Sequence, residues 1–305
     1  MDLSVIIVTH NSAPFIEGCL SSISRQLKGL HHEIIVVDND SSDDTSARVR
    51  QGFPEVFLMT NRSNLGFAAA NNSGLRRAKG EFVLFINPDT EWKRGDIKEA
   101  IQFLRDRRET GAVGCRLVLG DGSWQKSCGH FPTLLRELRE VFYLPRLFGE
   151  KPWSEGIFIY REMEAGPVDW ASAAFLLIPK RVLSEVQGFD ERYFMYYEDM
   201  DLSKKIRDSG REICCHPSIE ITHYQGMPPV YDSGESPYLY FGKHFGPPSA
   251  KRLRYVLLLK ALVRISVFVP LVLLTGQKIF REKLETNYRT FKYHLREAPA
   301  LLKKL

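Results

Sequence analysis

No glycine-rich phosphate loop occurs in this 305-residue chain: there is neither Gly-x-Gly-x-x-Gly after the first apolar run nor Gly-Lys followed by Ser or Thr. Its lack weighs against a nicotinamide-dependent oxidoreductase and against a P-loop ATPase, which both hold phosphates on such loops. Cysteine is scarce and unpaired in pattern. The five cysteines include adjacent Cys214 and Cys215 and no Cys-x-x-Cys, so no disulfide framework is indicated and a reducing cytoplasm fits better than secretion. The first ten residues have no basic start, long apolar run or small-residue cleavage site, and read as a native strand rather than a signal peptide. Internal repeats and low-complexity tracts are lacking too, as is any aromatic-interleaved basic platform, so no nucleic-acid partner is expected.

What is present is a chain 44% hydrophobic, enough for one large core or a core with an appended segment. Strands alternate with helices from the start. Ser4 to Thr9, Glu33 to Val37, Val56 to Met59 and Phe82 to Ile86 read as strands. Pro14 to Leu27, Asp43 to Val49 and Gly66 to Ala78 read as the helices between them. Such alternation implies a mainly parallel sheet covered on both faces. A charged helix (Asp96 to Arg107) and strands at Ala112 to Leu119 and Ala173 to Ile178 follow, with a further helix starting near Glu198 and ending at Gly210. Residues 121–167, rich in glycine, proline and scattered aromatics, read as an irregular acceptor-side region.

Parallel strands present their carboxyl ends along one edge, where α/β sheets bind ligands. The first strand ends on Thr9-His10-Asn11, the second on Asp38-Asn39-Asp40 and the fourth on Asn87-Pro88-Asp89. Thr9 and Asn11 can line a base, Asp38 can bond a pyrimidine imino group or a ribose, and Asp89 can meet a divalent cation carrying a diphosphate. Without a glycine loop, a carboxylate-held Mg²⁺ or Mn²⁺ is the obvious way to neutralise that diphosphate. Each residue also has a plainer reading: Asn-Pro-Asp-Thr is a turn, and Asp38 to Asp44 is an Asx turn leading to a helix cap. Glu198, Asp199 and Asp201 follow two aromatic clusters at a helix start, where a carboxylate can simply favour the helix dipole or can take a proton from a sugar hydroxyl. His223 can lend an imidazole nitrogen to the same metal or satisfy a local hydrogen bond.

As a set these residues resemble the family-2 glycosyltransferases of the GT-A fold, most closely the bacterial rhamnosyltransferase-like branch. The resemblance runs from Ser4 to about Gly226. It rests on Ser4-Val-Ile-Ile-Val-Thr-His-Asn11, Glu33-Ile-Ile-Val-Val-Asp-Asn-Asp-Ser41, Asn64-Leu-Gly-Phe-Ala-Ala-Ala-Asn-Asn72, Gly80-Glu-Phe-Val-Leu-Phe-Ile-Asn-Pro-Asp89, and Gly188-Phe-Asp-Glu191 with Tyr197-Glu-Asp-Met-Asp201. It implies that Asp38, with Asp40 nearby, binds the nucleotide base, and that Thr9, Asn11, Asn64, Gly66, Asn87, Asp89 and Trp170 belong to the nucleotide-sugar site. It also implies that Asp89 ends an Asp-x-Asp metal motif completed by His223, and that Asp199, preceded by Glu198, is the general base of an inverting transfer. Here the first acid of the motif is Asn87, a neutral and poorer ligand, which lowers the expected metal affinity.

The implied donor is a nucleoside-diphospho-sugar, with rhamnose from dTDP-rhamnose as the best assignment, and the acceptor is a lipid-linked or cell-surface glycan. A scaffold of the same fold that binds nucleotide sugars without transferring them is the alternative. Residues 1–250 read as the catalytic domain and 251–305 as a basic, apolar helical segment for membrane association or oligomerisation. Tyr255 to Thr275 is long enough to cross a bilayer, but Lys260 and Arg264 interrupt it one helical turn apart on one face. That pattern favours a helix lying in the membrane interface, and with it an enzyme peripheral to the inner face of the cell membrane.

Overall fold

The structure, a computed structural model, describes residues 1–142, 157, 166–225 and 234–302. The irregular region expected over 121–167 therefore lies in part outside the described residues. Two compact units are present: residues 1–129 with 162–226, and residues 130–161 with 227–305.

In the first unit, β1 (Leu3–Thr9) is buried at all seven positions. A strand turns alternate side chains to opposite faces, so full burial means that both faces are covered. Leu3, Val5 and Ile7 join a core that includes Ile16, Cys19, Leu20 and Ile23 of α1 (Ile16–Gln26) and Ile97, Ala100, Ile101 and Leu104 of α4 (Ile97–Asp106). The i, i+3, i+4, i+7 spacing in α4 makes one apolar face, and the Asp96 side chain starts the helix by accepting from the Lys98 amide.

On the opposite sheet face α3 (Phe67–Arg77) packs closely on Ile6 at Gly74. The other early elements are β2 (His32–Asp38), α2 (Thr45–Gly52), β3 (Phe57–Thr60) and β4 (Phe82–Ile86). They fall within three residues of the sequence expectations. β5 (Thr90–Arg94), β6 (Thr110–Val118), β7 (Trp124–Gln125), β8 (Cys128–Gly129), α5 (Leu134–Val141), β9 (Gly166–Val168), β10 (Trp170–Ala171), β11 (Phe175–Pro179), α6 (Lys180–Val186), α7 (Glu198–Asp208) and β12 (Glu212–His223) follow.

The large sheet has the order β3-β2-β1-β4-β11-β6-β12-β5. β1 is parallel to β2 and β4, β2 to β3, and β12 to β6. The expectation of a mainly parallel sheet thus holds for its central strands, interrupted by antiparallel β11 between β4 and β6, while β5, β7 and β9 pair antiparallel at its margin. This strand order carries the carboxyl ends of β1, β2, β4, β6 and β12 to one edge, together with the start of β11.

Sequence reading passed over β5, which reverses the chain directly after Asp89. Its pattern is visible in retrospect: Thr90 and Trp92 are buried while Lys93 and Arg94 are exposed. Charges on a short edge strand discourage pairing with other chains and blunt its apolar signal. β5 lies antiparallel against β12 with His223 opposite Thr90.

The second unit is helical where described: α5, α8 (Ser236–Phe245), α9 (Pro247–Thr275), α10 (Lys278–Arg296) and α11 (Ala298–Leu301). α9 packs against α5, α8 and α10. Tyr238 of α8 is fully buried, and its hydroxyl lies 2.8 Å from His294 Nδ1 of α10. Lys260 does not turn outward with its neighbours on α9: its ammonium lies 3.2 Å from the buried Glu137 carboxylate of α5.

Leu84 sits at the centre of β4 with no exposure. Leu84→Ala leaves a cavity between packed layers and lowers the unfolding free energy by about 2–5 kcal/mol, read from urea denaturation.

Candidate active site

The carboxyl edge of the sheet gathers the residues the sequence singled out, all in the first unit. Thr9 and Asp38 end β1 and β2 and are opposite one another in register. The buried Asp38 carboxylate accepts from Thr9 Oγ1 at 3.0 Å, from Ser46 Oγ at 2.7 Å and from Ser41 Oγ. These three hydroxyls lock its orientation. Asn11 and Asp40 are exposed beside it, each with a positive φ (53° and 67°). Asn11 Oδ1 accepts from the Ser42 amide at 2.8 Å, which ties the two loop tips together.

Asn39, which the sequence argument left unassigned, is the hub of the next layer. It is 2% exposed. Its amide nitrogen donates to Asn64 Oδ1 at 2.7 Å and to the Gly66 carbonyl, and its oxygen accepts from Asn61 Nδ2 and the Leu65 amide, both at 3.0 Å. Asn64 is thus held by Asn39 and in turn caps the Gly66 amide at 2.9 Å.

Gly66 has φ 83°, and a Cβ there would stand 2.5 Å from the Phe194 carbonyl oxygen. That oxygen accepts from the Phe67 amide at 2.7 Å. The glycine therefore allows the 188–201 segment to lie directly on the loop before α3. Asn72 fastens the same segment, with hydrogen bonds to both backbone groups of Phe189.

Within that segment, just before α7, Tyr196 and Tyr197 have φ 68° and 67°. Two consecutive non-glycine residues in the left-handed region cost roughly 1–3 kcal/mol each and occur where surrounding structure imposes them. They deliver Glu198 and Asp199 to the first turn of α7. Asp199 Oδ1 accepts from the Met200 amide at 2.8 Å, and the Ala173 amide also bonds this carboxylate. Burial dominates over these bonds and raises the Asp199 carboxyl to about 6. Glu198 is 6% exposed, its Oε2 has no partner, and burial with the neighbouring Asp199 charge pushes its pKa well up. Trp170 is buried on β10, which packs on α7.

The loop before β11 bridges to the other half of the edge. Ala173 bonds Asp199, while the next residue, Ala174, accepts from the Asn87 amide at 3.2 Å. Asp89 and His223 then face one another because β5 and β12 pair at this point: Asp89 Oδ1 is 3.2 Å from His223 Nε2, and both side chains are nearly buried. Asn87 Nδ2 lies 3.3 Å from the same Nε2, and Asn87 Oδ1 is buried without a partner.

Behind the ring, His223 Nδ1 is 2.8 Å from Gln125 Oε1. A carboxamide oxygen only accepts, so Nδ1 carries a hydrogen. When the ring is neutral, the Nε2 lone pair points at the Asp89 carboxylate, a pairing that only a proton or a cation between them makes favourable. Burial raises the Asp89 carboxyl, but the hydrogen bond and charge of His223, with the Gln225 amide at 3.2 Å, outweigh it and hold the group below its ordinary value. Among the described residues no cluster of three or more histidine, cysteine or acidic side chains is placed to hold a metal.

Gln125 was not legible because it lies on two-residue β7, inside a stretch read as irregular. The turn Asp121-Gly122-Ser123 ahead of it was its one local signal. All five cysteines are buried.

Comparison with known proteins gives the family of the chain. The family model described as glycosyl transferase family 2 matches residues 4–160. An N-acetylglucosaminyl-diphospho-decaprenol L-rhamnosyltransferase of Mycobacterium tuberculosis is 30% identical over 254 residues, covering 79% of this chain and 81% of the relative. Rhamnosyltransferase WbbL of Escherichia coli is 27% identical over 232 residues, 72% of this chain and 82% of its own. A mannosyltransferase of Pyrobaculum calidifontis, solved with GDP-Man and Mn²⁺, superposes with a TM-score of 0.59 at 19% identity, over 97% of this chain and 87% of that one.

Gly66→Ala forces a Cβ onto the Phe194 carbonyl and a side chain into positive φ. It lowers stability by about 1–3 kcal/mol, measured by chemical denaturation, and loosens the 188–201 segment, measured as faster amide exchange there.

Proposed function

Because this chain belongs to glycosyl transferase family 2 and has the GT-A fold, we propose that it transfers a sugar with inversion from a nucleoside-diphosphate donor to a lipid-linked or cell-surface glycan. The best assignment of the donor is dTDP-rhamnose, supported by the two relatives named rhamnosyltransferases. One observation carries the reading: Asp199 and Asn87 bond consecutive residues, Ala173 and Ala174, so a carboxylate suited to take a proton and the Asp89–His223 pair share one strand-end edge.

In this reading Thr9, Asn11, Asp38 and Asp40 form the nucleotide end, with Asn64 and Gly66 supporting it through Asn39, and Trp170 backs the sugar end. Asp199 accepts the proton of the acceptor hydroxyl as that oxygen forms its bond to the sugar C1 and the bond from C1 to the diphosphate breaks. Burial and the Asp199 charge push the neighbouring Glu198 carboxyl well up, which favours its protonated form beside an ionised Asp199.

Asp89, the Nε2 of His223 and the unpartnered oxygen of Asn87 are the groups that would hold a hard divalent cation, Mg²⁺ or Mn²⁺, beside the donor diphosphate. When bound, such a cation neutralises the charge that develops on the departing diphosphate. Gln125 holds the imidazole in the tautomer that leaves Nε2 free to ligate. Residues 1–250 carry the transfer and 251–305 attach the enzyme to the cytoplasmic face of the membrane, where a lipid-linked acceptor lies.

Release of nucleoside diphosphate from dTDP-rhamnose and from UDP-hexoses, with a lipid-linked acceptor present, tests the donor assignment. Faster turnover of a UDP-hexose contradicts it. Asp199→Asn lowers kcat by about 10² to 10⁴ with donor binding retained in thermal-shift assays. Normal turnover by that variant rejects the role. Since the base must be ionised, wild-type kcat rises with pH through about 6 and levels off above. A carboxyl raised on folding costs stability once it ionises, so Asp199→Asn melts no lower than wild type at neutral pH.

Gln125→Leu weakens Mn²⁺ binding in the presence of nucleoside diphosphate about 10- to 100-fold, measured by calorimetry. Gln125→Glu, which keeps the acceptor, restores most of it.

A further inference from the structure

We propose that the second unit seats itself in the surface of an anionic bilayer through one face of α9, without crossing it, which deepens and rests on the membrane contact proposed above. α9 is long and apolar enough to span a membrane. Its packing partners are not. α5, α8 and α10 lie against it, and α10 carries six lysines and arginines and two glutamates over 19 residues. A spanning α9 would draw these charges into hydrocarbon, so the arrangement permits a helix lying in the interface and forbids a span.

The two cations that interrupt the apolar stretch do not mark its lipid-facing side. Lys260 turns inward to Glu137, whose side chain is 3% exposed, and Arg264 follows it one turn later on that same face. The outward face is left apolar. Tyr255, Leu259, Leu262, Val269 and Leu273 recur at helical spacing, 66% exposed at Tyr255 and 80% at Leu273.

Charge decides what covers that face. Exposed Lys251 and Arg252 stand at one end of α9 and exposed Lys278 and Arg281 just past the other, and α10 has a formal net charge of +4 from its six basic and two acidic residues. A second copy of this hairpin would set like charges together. Anionic lipid headgroups meet them, while the apolar face lies at the acyl boundary.

The test is flotation of the full chain with vesicles of phosphatidylcholine alone and with phosphatidylglycerol added, using wild type, Leu259→Glu/Leu273→Glu and Lys260→Met. Wild type floats preferentially with the anionic vesicles. The double variant partitions at least roughly tenfold less, with a circular dichroism spectrum matching wild type. Lys260→Met partitions as wild type does but melts earlier, because it strands the buried Glu137 carboxylate.

Undiminished flotation of the double variant overturns the proposal. So does a wild-type dimer in light scattering that the double substitution dissolves, since the face would then be covered by another copy. So does loss of flotation by Lys260→Met with an unchanged melt. Donor hydrolysis without vesicles is read in parallel: flotation without any turnover of nucleotide sugars leaves this seat standing and removes the transferase reading, and the reverse result does the opposite.

Discussion

Everything at the carboxyl edge depends on β5 lying antiparallel against β12. That pairing turns the chain back immediately after Asp89 and sets His223 opposite Thr90, so a carboxylate and an imidazole separated by more than a hundred residues meet at 3.2 Å. A protonated imidazole bonds and attracts this carboxylate, whereas in a neutral ring Nε2 faces it as a lone pair, with Asn87 Nδ2 at 3.3 Å beside it. Gln125 holds the hydrogen on the far side of the ring, and Asn87 offers an oxygen with no partner. In the proposed function a cation bound with the donor diphosphate takes the place of a proton between Asp89 and His223.

The rest of the edge is a series of loops braced against one another. Asn39 holds the 61–66 loop, Gly66 lets Phe194 lie on that loop, and Tyr196 and Tyr197 accept left-handed backbone to bring Glu198 and Asp199 to the start of α7. Four of the five described non-glycine residues with positive φ, namely Asn11, Asp40, Tyr196 and Tyr197, lie in these loops. Strain gathered here and not in the helices is what a preorganised site requires. It also explains why Asp38, read from sequence as a ligand for a base, is so firmly held by Thr9, Ser41 and Ser46: a group that must present one geometry to a nucleotide is fixed before the nucleotide arrives.

Much of this was legible in the residues. The alternation of apolar runs and helical spacing located β1 to β4 and α1 to α4, because buried parallel strands and amphipathic helices carry their environment in their periodicity. Asp38, Asp89 and His223 stood out because they follow apolar strands, and Asp199 because it follows two aromatic clusters at a helix start. What escaped were features that only pairing creates. β5 looked like the charged approach to a helix, Gln125 sat on a two-residue strand, and Asn39 was one amide among several. The two cations in α9 were placed on one face correctly, yet which way that face looks follows from Glu137, more than a hundred residues earlier.

The claim at the centre is that His223 Nε2 ligates a metal that the donor diphosphate also holds. Electron spin echo spectroscopy of bound Mn²⁺, with nucleoside diphosphate present, reads that contact directly. The account predicts modulation from an imidazole nitrogen in the wild-type protein and its disappearance in His223→Ala. Tightly bound Mn²⁺ with no nitrogen coupling in the wild type would contradict it.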